Sequence, residues 1–84
     1  MIAVLVRWFA AAGEAAGCPE ESLQVDGTTT TGALLVQAVD AHGPQLGRVL
    51  TACSVLVDGQ LDEDRTLALT PGATVDVLPP FAGG

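Results

Sequence analysis

Apolar and polar positions along the chain predict five strands and one principal helix. The first run, Ile2–Phe9, is apolar on both faces, so it suits a strand inside a sheet better than one at an edge. A strand over Cys53–Val57 leads into an Asp58-Gly59 hairpin turn. The other strand-like segments are 22–25, 66–69 and 74–78.

The clearest helix follows a run of four threonines. Thr30 or Thr31 can cap its start, and Gly43-Pro44 supplies its stop. Its apolar stripe, at helical spacing over roughly three turns, consists of Leu34, Leu35, Ala38, Val39 and His42. Shorter helical segments are predicted over 10–17 and 44–53. One sheet with one helix across its face is the simplest way to bury both apolar surfaces, so we expect an α+β roll.

The last strand predicts where the folded domain ends. Residues 70–73 (Thr-Pro-Gly-Ala) have the pattern of a type II turn, and the strand 74–78 follows them. Pro79 cannot donate a backbone hydrogen bond to a sheet, so the strand should stop before it. We therefore predict a domain over 1–78 and an extended tail over 79–84.

Charge narrows the range of partners. Three arginines stand against ten acidic residues, the formal net charge is −7, and the chain has no lysine. This balance argues against binding to nucleic acid or anionic membranes and favours a basic protein surface, although acidity can equally serve solubility. The segment MIAVLVRWFA is too short for a membrane span and lacks the basic start of a signal peptide, so a reduced, cytoplasmic protein is expected.

For each residue that could be catalytic or bind a metal, a structural role is a simpler explanation than a chemical one. Cys18 and Cys53 are far apart, no C-x-x-C motif is present, and nothing near either thiol in sequence would lower its pKa. His42 is interpreted as a capping or partly buried histidine. The acidic segment 62–65 is interpreted as a solvated loop, and the aromatic pair Trp8-Phe9 as core. We therefore expect no metal site, no bound cofactor and no catalysis by this chain alone.

The tail is the one segment with chemistry of its own. Its prolines favour an extended path rising about 3.1 Å per residue, its aromatic can anchor in a partner's pocket, and its diglycine can enter a narrow channel. The terminal α-carboxylate, with a reference pKa of about 3.3–3.7, could attack the α-phosphate of ATP in another protein's active site. A frayed terminus is the alternative. The residues concerned are Pro79, Pro80, Phe81, Ala82, Gly83 and Gly84.

Several segments together resemble the MoaD/ThiS family, and in particular the small, sulfur-carrying subunit of molybdopterin synthase. The tail LPPFAGG after PGATVDVL is the most specific part. VRWFAAAGEAAG is similar to the family's first strand and helix, TTTTGALLVQAV to its main helix, and CSVLVDGQLDEDRTL to its hairpin and loop. The resemblance therefore covers nearly the whole chain.

The resemblance implies a ubiquitin-like β-grasp fold and a role as sulfur carrier. An E1-like adenylating enzyme, using its own ATP and magnesium, would activate Gly84, and a sulfur donor protein would convert it to a thiocarboxylate. Pro79–Ala82 would then insert into the large synthase subunit, where Gly84 delivers sulfur to cyclic pyranopterin monophosphate to form molybdopterin.

Two alternatives to this role remain open. Carriers for thiamine, cysteine synthesis or tRNA thiolation share the diglycine end, and a ubiquitin-like modifier would use the same tail for conjugation. In each case we expect the face of the sheet that the helix leaves uncovered to be apolar near the tail and to bind the partner.

Overall fold

A computed structural model of the chain describes residues 1–80. In chain order its elements are β1 (Ile2–Trp8), α1 (Ala11–Ala16), β2 (Glu20–Val25), α2 (Thr31–His42), α3 (Pro44–Leu50), β3 (Ser54–Val57), β4 (Gln60–Leu61) and β5 (Thr74–Leu78). None of the helices within residues 1–80 combines the length and the apolar character that crossing a bilayer requires.

The strands form one mixed sheet in the order β2-β1-β5-β3-β4. β1 and β5 run parallel, and the other neighbouring pairs are antiparallel. The prediction that β1 lies inside the sheet is confirmed, because β2 and β5 flank it. β5, the last strand in sequence, occupies the centre and is hydrogen-bonded on both sides. The expected α+β architecture is therefore present.

The three helices cover one face of this sheet, and the core lies between them. Val4, Val6 and Val75 are fully buried on the strands, and Leu34 and Leu46 are fully buried on α2 and α3. The Thr30 hydroxyl accepts a hydrogen bond from the Ala33 N–H (3.3 Å), so the predicted N-cap of α2 is confirmed. The aliphatic stripe of α2 therefore packs as its spacing predicts.

The prediction of a strand over residues 66–69 is wrong. That segment makes one isolated bridge, between Ala68 and Thr30, and the fifth strand of the sheet is instead the short β4. The carbonyl oxygens of Leu67 and Arg65 accept hydrogen bonds from the N–H groups of Thr31 (3.0 Å) and Gly32 (2.7 Å). The first N–H groups of a helix have no partners within the helix. Here the carbonyl groups of Arg65 and Leu67 accept hydrogen bonds from two of them, and residues 66–69 do not join the sheet.

The interpretation of residues 62–65 as a solvated loop is also wrong at its two ends. Asp62 is only 6% exposed, and its carboxylate accepts hydrogen bonds from the N–H groups of Thr66 and Leu67. Burial alone would raise the pKa of Asp62, but these and further hydrogen bonds outweigh burial and lower it. Arg65 donates to the carbonyls of Leu50 (2.8 Å) and Cys53 (3.0 Å), so it fixes the connection from α3 to β3.

Two helical glycines differ in what surrounds them, and this yields a stability prediction. A Cβ at Gly32 would lie 3.0 Å from the Arg65 carbonyl oxygen, whereas one at Gly47 would make ordinary contact, at 3.5 Å, with Val39. We expect Gly32→Ala to destabilise the chain by about 1–3 kcal/mol through overpacking. Gly47→Ala should stabilise it by up to about 1 kcal/mol, because alanine has the higher helix propensity. Urea unfolding of both variants checks this, and a Gly32→Ala chain as stable as Gly47→Ala would contradict the packing described for Gly32.

Candidate functional site

The predicted tail leaves the sheet from its central strand, β5. β5 pairs with β1 from Thr74 to Val77 and with β3 from Val75 to Leu78, and the Phe9 N–H donates to the Val77 carbonyl (3.0 Å). Leu78 ends the strand, Pro79 is half-buried and Pro80 is exposed. The other predicted site residues, Phe81, Ala82, Gly83 and Gly84, lie outside the described residues. The strand is thus hydrogen-bonded up to the residue before the prolines.

The sheet has an open face, opposite the helices, that carries both apolar and charged side chains. Cross-strand register places Leu56 and Leu61 beside each other, with Asp76 and Arg7 continuing the same row. Leu61 is 51% exposed, and the other leucines of this face are partly exposed. The open face is lined by Ala3, Leu5, Arg7, Glu20, Ser22, Gln24, Ser54, Leu56, Leu61, Thr74, Asp76 and Leu78.

A bidentate ion pair lies in the middle of this open face. Arg7 Nε donates to Asp76 Oδ1 (2.5 Å) and Arg7 Nη2 donates to Asp76 Oδ2 (2.8 Å). The hydrogen bond to Asp76 and the negative charge of Asp76 raise the pKa of Arg7 above the ordinary value for arginine. The pair lies between the leucines of β3 and β4 on one side and the polar side chains of β2 on the other, so the open face is mixed rather than uniformly charged.

Phe9 belongs outside the core, contrary to the sequence-based interpretation. Trp8 is 3% exposed and buried under the helices, whereas Phe9 is 39% exposed. Because successive strand residues point to opposite faces, two adjacent aromatics cannot both enter the same core. Trp8 pairs in register with Val77, so Phe9 comes next to Leu78, at the point where the tail begins. An exposed aromatic therefore adjoins the predicted tail.

A second polar cluster, which the sequence analysis missed, lies on the helix-facing side of the sheet. His42 Nε2 is 2.6 Å from Glu21 Oε2, and the same oxygen accepts hydrogen bonds from Trp8 Nε1 (2.8 Å) and Cys18 Sγ (3.6 Å). Glu21 pairs in register with Val6, which is fully buried. The detectable signal was a glutamate at a core-facing position of a strand, because charged residues there require partners.

The two thiols are not activated. Burial, followed by the negative charge of Glu21 and a hydrogen bond to it, raises the pKa of Cys18. Burial also raises the pKa of Cys53, and the charge of Arg65 opposes this effect only in part. Both cysteines are free and partly buried. Both thiol pKa values are raised overall, although the prediction that nothing nearby lowers them missed the opposing charge of Arg65 on Cys53. Neither cysteine therefore has the thiolate character of a nucleophile at neutral pH.

Comparison with known proteins gives a family and a fold. The sequence model of the ThiS family matches residues 6–84. Among solved structures, SAMP1 from Haloferax volcanii is similar with 30% identity and a TM-score of 0.83, and the alignment covers 98% of this chain and 99% of that chain. The comparison with curated proteins finds no match.

Two further solved structures are similar in fold at lower identity. One is the putative molybdopterin converting factor, subunit 1, from Pyrococcus furiosus (20% identity, TM-score 0.86, covering 96% of this chain and 100% of that chain). The other belongs to the complex of subunits 1 and 2 of molybdopterin-converting factor from Helicobacter pylori (22% identity, TM-score 0.70, covering 99% and 100%).

These matches confirm the ubiquitin-like β-grasp fold that the resemblance implied. The family match spans all but the first five residues and includes the predicted tail. The chain belongs to the ThiS family and is a sulfur carrier or ubiquitin-like modifier of the ThiS/MoaD type.

Proposed function

We propose that this protein is the sulfur-carrying small subunit of a molybdopterin synthase. In this proposal Gly84 is adenylated by an E1-like enzyme that binds ATP and magnesium, and a sulfur donor protein converts it to a thiocarboxylate. The large synthase subunit then takes up the tail, and sulfur passes to cyclic pyranopterin monophosphate. The carrier acts in the cytoplasm. It is a reactant rather than a catalyst in these steps, because the catalytic groups belong to its partners.

The observation that carries the proposal is the attachment of the tail to β5. A carboxylate presented to a partner's active site must be placed accurately, since an error of about 1 Å can cost about 100-fold in rate. β5 lies between β1 and β3 and is hydrogen-bonded up to Leu78. Six extended residues beyond it can reach roughly 15–20 Å. A rigid base with a slim, reaching end suits delivery into another protein.

The open face supports the choice of a protein partner. Leu56, Leu61 and Leu78 line it together with the Arg7–Asp76 pair, and Phe9 adjoins it. Aromatic side chains and arginine are enriched in protein–protein contacts, and exposed aliphatic side chains add apolar area to them. The structural relative from Helicobacter pylori forms a complex of two subunits. A large subunit bound to the open face would lie beside the start of the tail and would receive the tail there.

Docking on this face predicts a selective effect of one leucine. Leu56→Ser removes a partly exposed apolar side chain from the centre of the row without placing a charge beside Asp76. We expect a loss of about tenfold or more in affinity for the large subunit, as for truncation of an interface anchor. Calorimetric titration measures this loss.

Val36→Ser is the matched control for Leu56→Ser. Val36 is 62% exposed and lies on α2, on the opposite side of the sheet. Affinity for the large subunit should change little in this variant. Equal losses in the two variants, with both chains folded by circular dichroism, would show that the partner does not bind the open face.

Intact mass spectrometry tests the chemistry. The full chain is incubated with a molybdopterin-pathway adenylating enzyme, ATP, magnesium and a sulfide source. The expected product has gained the mass of one sulfur in place of one oxygen, and fragmentation locates this gain at Gly84. Purified large subunit and cyclic pyranopterin monophosphate then convert the product to molybdopterin. An unmodified chain, while a known carrier is converted alongside it, would remove the proposal.

The similarity to SAMP1 favours a second candidate, a ubiquitin-like modifier. In that case the activated glycine forms an amide with a lysine of another protein rather than a stable thiocarboxylate. The 84 residues contain no lysine, so the chain cannot accept such a link on a lysine side chain of its own. A modifier would therefore form no chains linked through its own lysines, and peptide mass spectrometry of cell extract distinguishes its adducts from the free thiocarboxylate.

A further inference from the structure

Three side chains that can bind a metal ion converge where β1 ends and β2 begins, on the helix-facing side of the sheet. Cys18 Sγ, Glu21 Oε2 and His42 Nε2 all lie within 4.8 Å of one another. They come from the loop after α1, from β2 and from the end of α2. All three residues are half-buried, so the cluster differs from an exposed group of acidic side chains.

We propose that this cluster binds Zn²⁺, with Cys18, Glu21 and His42 as the protein ligands and a water molecule in the fourth position. Zn²⁺ accepts thiolate, imidazole and carboxylate ligands in tetrahedral geometry, and three protein ligands with one open position are a common arrangement. Magnesium and calcium require oxygen ligands, so a sulfur–nitrogen–oxygen set selects against them.

The three ligand atoms lie within 4.8 Å of one another and must move by about 1 Å to hold the ion. Bond lengths of about 2.0–2.3 Å place the ligand atoms of a tetrahedral site roughly 3.3–3.7 Å apart. The Cys18 Sγ to Glu21 Oε2 distance is already 3.6 Å. The His42 Nε2 to Glu21 Oε2 distance is 2.6 Å, which is a hydrogen-bond length and must lengthen by about 1 Å. Rotation of the Glu21 and His42 side chains, which lie near the ends of β2 and α2, can supply this change.

Trp8 would act as a positioning residue for the site. Its indole N–H donates to the same Glu21 oxygen (2.8 Å), and its ring meets the His42 ring edge-on at a centroid distance of 6.3 Å. Carboxylates and imidazoles that bind metals are usually oriented by such neighbouring contacts, which also tune the affinity. Because Trp8 is buried, its ring limits the positions that the Glu21 and His42 side chains adopt.

Charge balance accompanies binding. The thiol of Cys18 must lose its proton to solvent, and the thiolate together with the Glu21 carboxylate then neutralises the two positive charges of Zn²⁺. Because the form of Cys18 that binds a metal is the thiolate, the ion competes with that proton. Binding should therefore tighten as the pH rises. The bound ion would join three elements that are separate in sequence, and binding to the folded state alone raises the melting temperature.

The test uses the untagged, full-length chain after removal of metals with a chelator. Co²⁺ is added as a spectroscopic probe, and Zn²⁺ is then added to displace it. We expect a thiolate-to-Co²⁺ charge-transfer band at one ion per chain, together with quenching of the single tryptophan, Trp8. Zn²⁺ should abolish the band and raise the melting temperature. Cys18→Ser and His42→Gln should each lower the Zn²⁺ affinity about tenfold or more, since loss of an indirect partner already costs about 10–100-fold.

Cys53→Ser is the matched control, because Cys53 is likewise free and partly buried but lies outside the cluster. It should keep the band, the quenching and the thermal shift. Circular dichroism in the presence of chelator establishes that each variant is folded. The proposal is overturned if the wild-type chain gives no thiolate band, or if Cys18→Ser binds Zn²⁺ as tightly as Cys53→Ser. Neither the metal titration nor the melting experiment involves the tail, so the result of this test is independent of the proposed sulfur transfer.

Discussion

Deleting Gly84 should lower the rate of thiocarboxylate formation by more than about 100-fold while leaving the melting temperature unchanged. The deletion retains a carboxylate, now on Gly83, but withdraws it by about 3.3–3.6 Å along an extended chain. Since a displacement of about 1 Å can already cost about 100-fold, the shortened arm should present its carboxylate out of line with the α-phosphate of ATP.

The thermal result follows from where the core ends. The buried hydrophobic residues of the described chain end with Val77, and β5 stops at Leu78. No core contact of residues 1–80 is removed by the deletion. Gly83→Val tests the same segment without shortening it: a branched side chain should block entry into a channel fitted to glycine, and the fold should persist. Mass spectrometry measures the rate, and calorimetry measures the melting temperature.

Gly27→Ala is the control for glycine substitution as such. A Cβ at Gly27 meets no atom within 4 Å, so this variant should fold and react as the wild type does. If the chain lacking Gly84 forms thiocarboxylate at the wild-type rate, the terminal glycine is not the reacting group. If it loses as much stability as a core variant, the tail contributes to the fold. Either outcome would require a different function for the diglycine.

The sequence predicted those parts of the fold in which one local signal determines one element. The stripe that contains Leu34 and Ala38 predicted α2, and the Asp58-Gly59 pair predicted the hairpin, where both residues adopt positive φ. The type II turn is likewise present: Gly72 has φ +78° and the Ala73 N–H donates to the Thr70 carbonyl. In these cases the residues that determine the helix, hairpin or turn lie within that same element.

Where two local signals compete, or where the partner is distant in sequence, the predictions failed. Residues 66–69 have strand character, but the carbonyl of Leu67 accepts a hydrogen bond from Thr31 at the start of α2, more than thirty positions earlier. Asp62 looks solvated because no local pattern shows that N–H groups of the following segment will surround it. The Cys18, Glu21 and His42 cluster depends on the packing of α2 across β2, and no spacing rule encodes that contact.

The second large effect concerns Trp8, which contacts both the core and this cluster. In metal-free chain, Trp8→Ala should cost about 3–5 kcal/mol, as expected for loss of a buried large aromatic. Small domains are stable by only about 5–15 kcal/mol in total, so this one change should remove a large part of the stability of the chain. Urea unfolding followed by circular dichroism measures the cost, because the variant has no tryptophan fluorescence.

Two companion variants separate the causes of that loss. Trp8→Phe keeps most of the ring but removes the N–H donor to Glu21, so it should cost about 1.5–3 kcal/mol, the range for a hydrogen bond to a charged group. Phe9→Ala removes the neighbouring aromatic, which is 39% exposed, and should cost only about 1 kcal/mol. If Phe9→Ala were as destabilising as Trp8→Ala, Phe9 would belong to the core and would be unavailable to a partner. The expected order, with Trp8→Ala first and Phe9→Ala last, leaves Phe9 free to contact a partner beside the tail.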